Sequence, residues 1–131
     1  MGDVNFTDRF LRTYRRGEVI FEEGSVGQHL FVVRDGGVDI RKKMREQEVL
    51  IGTLGAGEIF GEMALVDSLP RSATAIAAED DTVLVAIDHG HFIYLIGQEP
   101  AFALVVLKAL SLKLRAQMAA PRQRFEPPPG V

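Results

Sequence analysis

The chain has 131 residues, 47% of them hydrophobic, enough to bury one core and hardly two. A formal net charge of −3 without a long basic run lacks the electrostatic footprint of a nucleic-acid binder, so no direct contact with DNA is expected. Without cysteine there is no disulfide framework, thiol nucleophile or thiolate zinc site, and no run approaches the roughly 20 apolar residues of a membrane span; a cytoplasmic protein without membrane insertion is expected.

Residues 5–14 place Phe6, Phe10 and Leu11 at helical spacing behind Asn5 or Thr7 as caps, which predicts a short amphipathic N-terminal helix. From residue 16 to 89 glycines punctuate short β-rich runs at 18–21, 29–33, 38–41, 49–51, 73–77 and 82–87. Many short strands joined by turns predict a mainly β barrel or sandwich rather than a parallel sheet with crossover helices. Asp35-Gly36 between two runs reads as a hairpin turn. The period changes after Ile87. Asp88 can cap a helix running to about Gly97, and a longer helix is expected from Pro100 to about Ala120. One domain over residues 1–120 is expected, with a disordered proline-rich tail over 121–131.

Residues 60–74 depart from the strand pattern. Gly61 permits close backbone approach, and Glu62-Met63-Ala64-Leu65-Val66 forms one helical turn whose free amides can face an anion. Arg71 carries a planar, untitratable charge suited to a phosphodiester, and Ser72 adds a hydroxyl donor. Glu62, an acceptor only when ionised, suits a sugar hydroxyl. Spacing alone leaves a second reading open, with Arg71 on the surface after a Leu69-Pro70 turn and Glu62 its plain salt-bridge partner.

Phe60-Gly61-Glu62-Met63-Ala64-Leu65, five further residues, then Arg71-Ser72-Ala73-Thr74 resembles the phosphate-binding cassette of cyclic-nucleotide-binding domains, found in bacterial catabolite activators, kinase regulatory subunits and gated channels. The resemblance extends to Gly17-Glu18-Val19-Ile20-Phe21-Glu22-Glu23-Gly24, His29-Leu30-Phe31-Val32-Val33 and Gly37-Val38-Asp39-Ile40, and covers roughly residues 10–115. It implies an antiparallel eight-stranded β-roll, jelly-roll-like, flanked by a short N-terminal helix and two C-terminal helices. It also implies a regulatory sensor module, not an enzyme, with cAMP or cGMP as ligand and neither cofactor nor metal.

By the same resemblance Arg71 neutralises the exocyclic phosphate oxygens and Glu62 accepts from the ribose 2′-hydroxyl. Amides of Gly61, Ala64 and Ser72 complete the cradle, with Met63 and Ala73 in the ligand-binding set. Lys113 and Gln117, four apart on one helix face, stand where relatives place a lid over the base; two solvated polar residues are the plainer reading. A serine after the arginine occurs with both nucleotides in the family, so Ser72 leaves the base open, and cAMP is the first choice.

Other features have plain readings. His89-Gly90-His91 reads as a polar turn before the helix, and His29 is the one histidine in a strand run, which disfavours a metal-dependent cupin. Arg41, Lys42, Lys43 and Arg45, mixed with Glu46 and Glu48, read as a solvated edge around a hairpin. The long helix carries Phe102, Val105, Val106 and Ala109 and also Leu104, Leu107, Leu110 and Leu114, more apolar surface than docking on one roll needs. A homodimer through this helix is a candidate, and an output domain or partner protein outside this chain is expected. The alternative function is a degenerate roll that serves protein contacts and binds no nucleotide.

Overall fold

An apolar run that does not alternate must be covered on both faces, and two such runs, residues 30–33 and 83–87, form the central strands of one sheet. The computed structural model describes residues 10–65 and 69–119, except for the side chains of Gln117 and Ala119. Eight strands occur in chain order: β1 Leu11–Tyr14, β2 Val19–Phe21, β3 His29–Asp35, β4 Gly37–Met44, β5 Gln47–Gly55, β6 Ile59–Phe60, β7 Thr74–Ala77 and β8 Thr82–Asp88. They form two four-stranded antiparallel sheets, ordered β1-β8-β3-β6 and β2-β7-β4-β5. Two helices follow, α1 His89–Gln98 and α2 Ala101–Ala119.

The parity of each strand assigns its residues to one of two cores. Phe31, Val33, Val38, Ile40, Phe60, Ala75, Leu84 and Ala86 meet between the sheets, with Phe31 and Phe60 stacked at 5.2 Å. Leu30, Ile59, Val85 and Ile87 face the other way and pack with Val106, Phe92, Leu95, Phe102, Ala109 and Leu110 of the helices. The first sheet is therefore buried on both faces. The second sheet has one wet face, and β4 alternates accordingly, with Val38 and Ile40 buried and Asp39 and Arg41 only partly so.

Three sequence expectations are corrected. Within the expected N-terminal helix, Leu11–Tyr14 is instead β1, hydrogen-bonded to β8, while residues 1–9 lie outside the described residues. Asp35-Gly36 turns the chain but closes no hairpin, because β3 and β4 belong to different sheets. Gly36 has φ +86° and packs so tightly on Thr82 that a Cβ would lie 2.4 Å from its Oγ1. His89-Gly90-His91 is the first turn of α1 itself, because the Asp88 carboxylate accepts from the His91 amide at 2.8 Å. The expected tail over 121–131 lies outside the described residues. Among the described residues, no helix is long and apolar enough to cross a membrane.

Candidate ligand-binding site

After β6 the chain leaves the sheet through Gly61, whose φ of +74° is available to glycine and strained for other residues. It then makes a single 3₁₀ turn, Glu62–Leu65, closed by the Ala64 amide on the Gly61 carbonyl at 3.2 Å. The segment returns at Arg71, which is locked to the loop before β3 by two backbone hydrogen bonds: the Gly24 amide donates to the Arg71 carbonyl and the Arg71 amide to the Ser25 carbonyl, each at 2.7 Å. Residues 60–65 and 71–74 thus lie side by side. Gly61, Glu62, Ala64, Arg71 and Ala73 are buried there, and Met63 and Ser72 are half-buried.

The Arg71 side chain is only 6% exposed. Its Nη1 donates to the Gly61 carbonyl at 3.1 Å and its Nη2 to the His29 carbonyl at 2.9 Å, while the guanidinium lies 4.1 Å from the centre of the Phe21 ring. Burial lowers its affinity for the proton, opposed by the nearby charge of Glu62, and a guanidinium starts high enough to stay charged. No carboxylate among the described residues forms an ion pair with it. Two buried donors, Arg71 Nε and the Ser72 hydroxyl, have no hydrogen-bond partner. Buried polar groups are nearly always paired, so these two donors, one of them on a fixed positive charge, are available to an anion rich in acceptors.

Glu62 is 1% exposed and pairs with the ammonium of Lys113 on α2, both carboxylate oxygens lying 2.8 Å from Nζ. Neither part of the plain reading describes this site, because Arg71 is buried and Glu62 bonds to a lysine 51 positions away. Lys113 reaches the buried carboxylate from the helix, while the side chain of Gln117 lies outside what the structure describes. Three contributors were not singled out from sequence: Phe21 under the guanidinium, the His29 carbonyl, and Lys42, whose Nζ donates to the Ser72 carbonyl at 2.9 Å. Backbone carbonyls leave no signature in a sequence. Lys42 did leave one, since it follows Ile40 by two and shares the parity of Val38 and Ile40 rather than that of the solvated residues.

Comparison with known proteins finds relatives of the chain. The family model described as "Cyclic nucleotide-binding domain" matches residues 11–99. The Cyclic AMP receptor protein of Thermus thermophilus is 40% identical over 105 residues, 79% of this chain and 48% of that protein. The human cGMP-dependent protein kinase 2 is 37% identical over 86 residues, 64% of this chain and 11% of the kinase. The crystal structure of the Thermus thermophilus Catabolite Activator Protein superposes with a TM-score of 0.75 at 36% identity, covering 88% of this chain and 55% of that one. The chain spans about half the length of the bacterial receptor and about a tenth of the kinase.

Proposed function

The chain belongs to the cyclic nucleotide-binding domain family, and from that premise we propose that it binds a cyclic purine nucleotide, cAMP as first choice, as a regulatory module and not as an enzyme. The observation that carries the proposal is the buried Arg71, without a carboxylate partner and with its Nε unpaired beside the unpaired Ser72 hydroxyl. A cyclic phosphodiester carries one negative charge and two exocyclic oxygens, which match the guanidinium and the adjacent donors. Phe21 presents its ring face to the guanidinium, a cation–π contact that helps hold it in place. Gly61, Ala64 and Ala73 let the ligand approach the backbone, and Met63 lines the turn between them.

Glu62 supplies the sugar half. A carboxylate has about four lone-pair directions, so it can accept a ribose 2′-hydroxyl while still holding Lys113. Through Lys113 the sugar site is bonded directly to α2. A ligand that binds one position of α2 better than another shifts the helix by that difference in affinity, which is the route from binding to output. The Ser72 hydroxyl can meet a phosphate oxygen or a guanine amino group. Relatives named for each nucleotide are present, and the longer match to the bacterial receptor favours cAMP as first choice.

Association through α2 belongs to the same reading. Leu104, Leu107, Ser111, Leu114 and Met118 are all exposed and spaced alternately three and four apart, on a face other than the one carrying Phe102, Val106 and Ala109. That spacing suits a coiled-coil seam, and the occupant in this reading is the same helix of a second copy. A roll serving protein contacts alone would have no use for orphaned buried donors.

Calorimetric titration with cAMP and with cGMP tests the proposal. Removing a buried charge partner costs about 2–5 kcal/mol, so Arg71→Ala should weaken binding by roughly thirty-fold to several thousand-fold. Equal affinity in wild type and variant, or no heat from either nucleotide with a folded wild type, would overturn it.

A further inference from the structure

We infer that Lys42 is a positioning residue for the phosphate cradle, an inference that rests on the proposed binding of a cyclic nucleotide. Lys42 lies on β4 outside the 60–74 segment, in a basic cluster whose composition reads as a solvated edge, although its own parity is that of Val38 and Ile40. Its ammonium instead joins two partners, donating to the Ser72 carbonyl at 2.9 Å and to Glu23 Oε2 at 2.9 Å. The other oxygen of Glu23 accepts the backbone amide of Lys43 at 2.9 Å, so the carboxylate is fixed to β4 and in turn fixes the ammonium. The Glu23 amide donates to Thr74 Oγ1 at 2.9 Å. The same contacts hold the Glu23 carboxyl below the ordinary carboxylate range, the Lys43 amide first and the Lys42 ammonium second.

Together these bonds engage one side of the segment that carries Arg71. Its amide and carbonyl are bonded to Ser25 and Gly24, the Ser72 carbonyl to Lys42, and the Thr74 hydroxyl to Glu23. What is left is a set of donors: among the described residues the amides of Ser72 and Ala73 take part in none of the turn and loop backbone hydrogen bonds that hold the segment, and the Ser72 hydroxyl is buried without a partner. A trans peptide holds its carbonyl and the following amide on opposite sides. By fixing the Ser72 carbonyl toward β4, Lys42 turns the Ala73 N–H away from β4 and restricts the rotation of the whole 72–73 peptide. The ammonium also polarises that peptide, which strengthens its amide as a donor to an anion. Lys42 touches no ligand in this scheme. It sets the plane of the group that does.

The test is titration of the full chain with cAMP and cGMP, their exocyclic phosphorothioate analogues and their 2′-deoxy analogues, for wild type, Lys42→Met, Lys42→Arg and Glu23→Gln. Lys42→Met should weaken the nucleotide that wild type binds by roughly five- to thirty-fold, the scale of one charge-assisted hydrogen bond acting at one remove. Lys42→Arg, which can still donate to the carbonyl and the carboxylate, should recover most of the loss. The wild-type penalty for sulfur at one exocyclic position should shrink in Lys42→Met, while the 2′-deoxy penalty, read at Glu62, stays as in wild type. General loosening of the roll would instead change both penalties and leave Lys42→Arg as weak as Lys42→Met; that outcome overturns the inference, as does Lys42→Met binding as tightly as wild type. If Lys42→Met does not fold, Glu23→Gln, which slackens the same ammonium, should show the same selective loss, and wild-type affinity there overturns the inference. A folded wild type that binds neither nucleotide refutes the underlying reading of the site instead.

Discussion

Gly61 performs two tasks that no other residue type combines. Its φ of +74° turns the chain out of β6, and its carbonyl accepts from Arg71 Nη1 at a point where an added Cβ would stand 2.7 Å from that same nitrogen. Gly61→Ala would carry both a left-handed strain of about 1–2 kcal/mol and a displaced guanidinium. A lowered melting temperature and weaker nucleotide binding are expected together; a variant as stable as wild type would show that the turn is not strained. Glycine at this position was legible as close backbone approach, because the residue type itself states the requirement. The Glu62 partner was not legible, since a residue 51 positions away enters only once α2 is packed.

At the scale of elements, boundaries follow local chemistry where a side chain closes a backbone hydrogen bond. Asp88 ends β8 and caps α1 through the His91 amide at 2.8 Å. That amide is the first cause holding the Asp88 carboxyl below its ordinary range, with His91 and His29 adding to it and partial burial opposing. A carboxyl with a depressed value in the folded state stabilises the fold above its unfolded value and loses that contribution as pH falls through the depressed one. Asp88→Ala should therefore cost about 0.5–2 kcal/mol at neutral pH, with the difference from wild type closing in acid. Denaturant unfolding at both pH values measures it, and a deficit that persists after the carboxyl is protonated would assign the loss to packing.

The six runs read as strands from sequence are all strands in the structure, because glycine punctuation and apolar residues mark them locally. β1 and β6 went unread for different reasons. Leu11-Arg12-Thr13-Tyr14 satisfies a helical period as well as a strand until β8 offers it a partner, and Ile59–Phe60 is too short to show any period. The turn between β4 and β5 uses Arg45 and Glu46, both at positive φ, where no glycine announces it; the surrounding charges were the only local hint of a hairpin.

For the whole molecule, the exposed apolar surface of α2 is what the proposed assembly would cover. Leu104 is 67% exposed and Met118 75%, at the two ends of the three-four seam on α2. Burying one such side chain contributes about 1.5–3 kcal/mol, and the proposed dimer requires the sum over the seam to exceed the cost of association. Sedimentation should find a dimer in the wild type and a monomer after Leu107→Glu with Leu114→Glu. A monomeric wild type at micromolar concentration would contradict the seam. Its exposed positions were legible only as a surplus of leucine, because the sequence does not say which stripe the roll covers.

In the proposed complex the orphaned guanidinium nitrogen of Arg71 receives the phosphate of a cyclic nucleotide. The resonance of Arg71 Nε–H, assigned by its loss in Arg71→Lys, can be followed in isotope-labelled protein as cAMP and then cGMP are added. A saturable downfield shift with at least one of them, absent with the nucleoside alone, is the predicted result. An unmoved resonance at nucleotide concentrations that saturate other signals of the protein would contradict it.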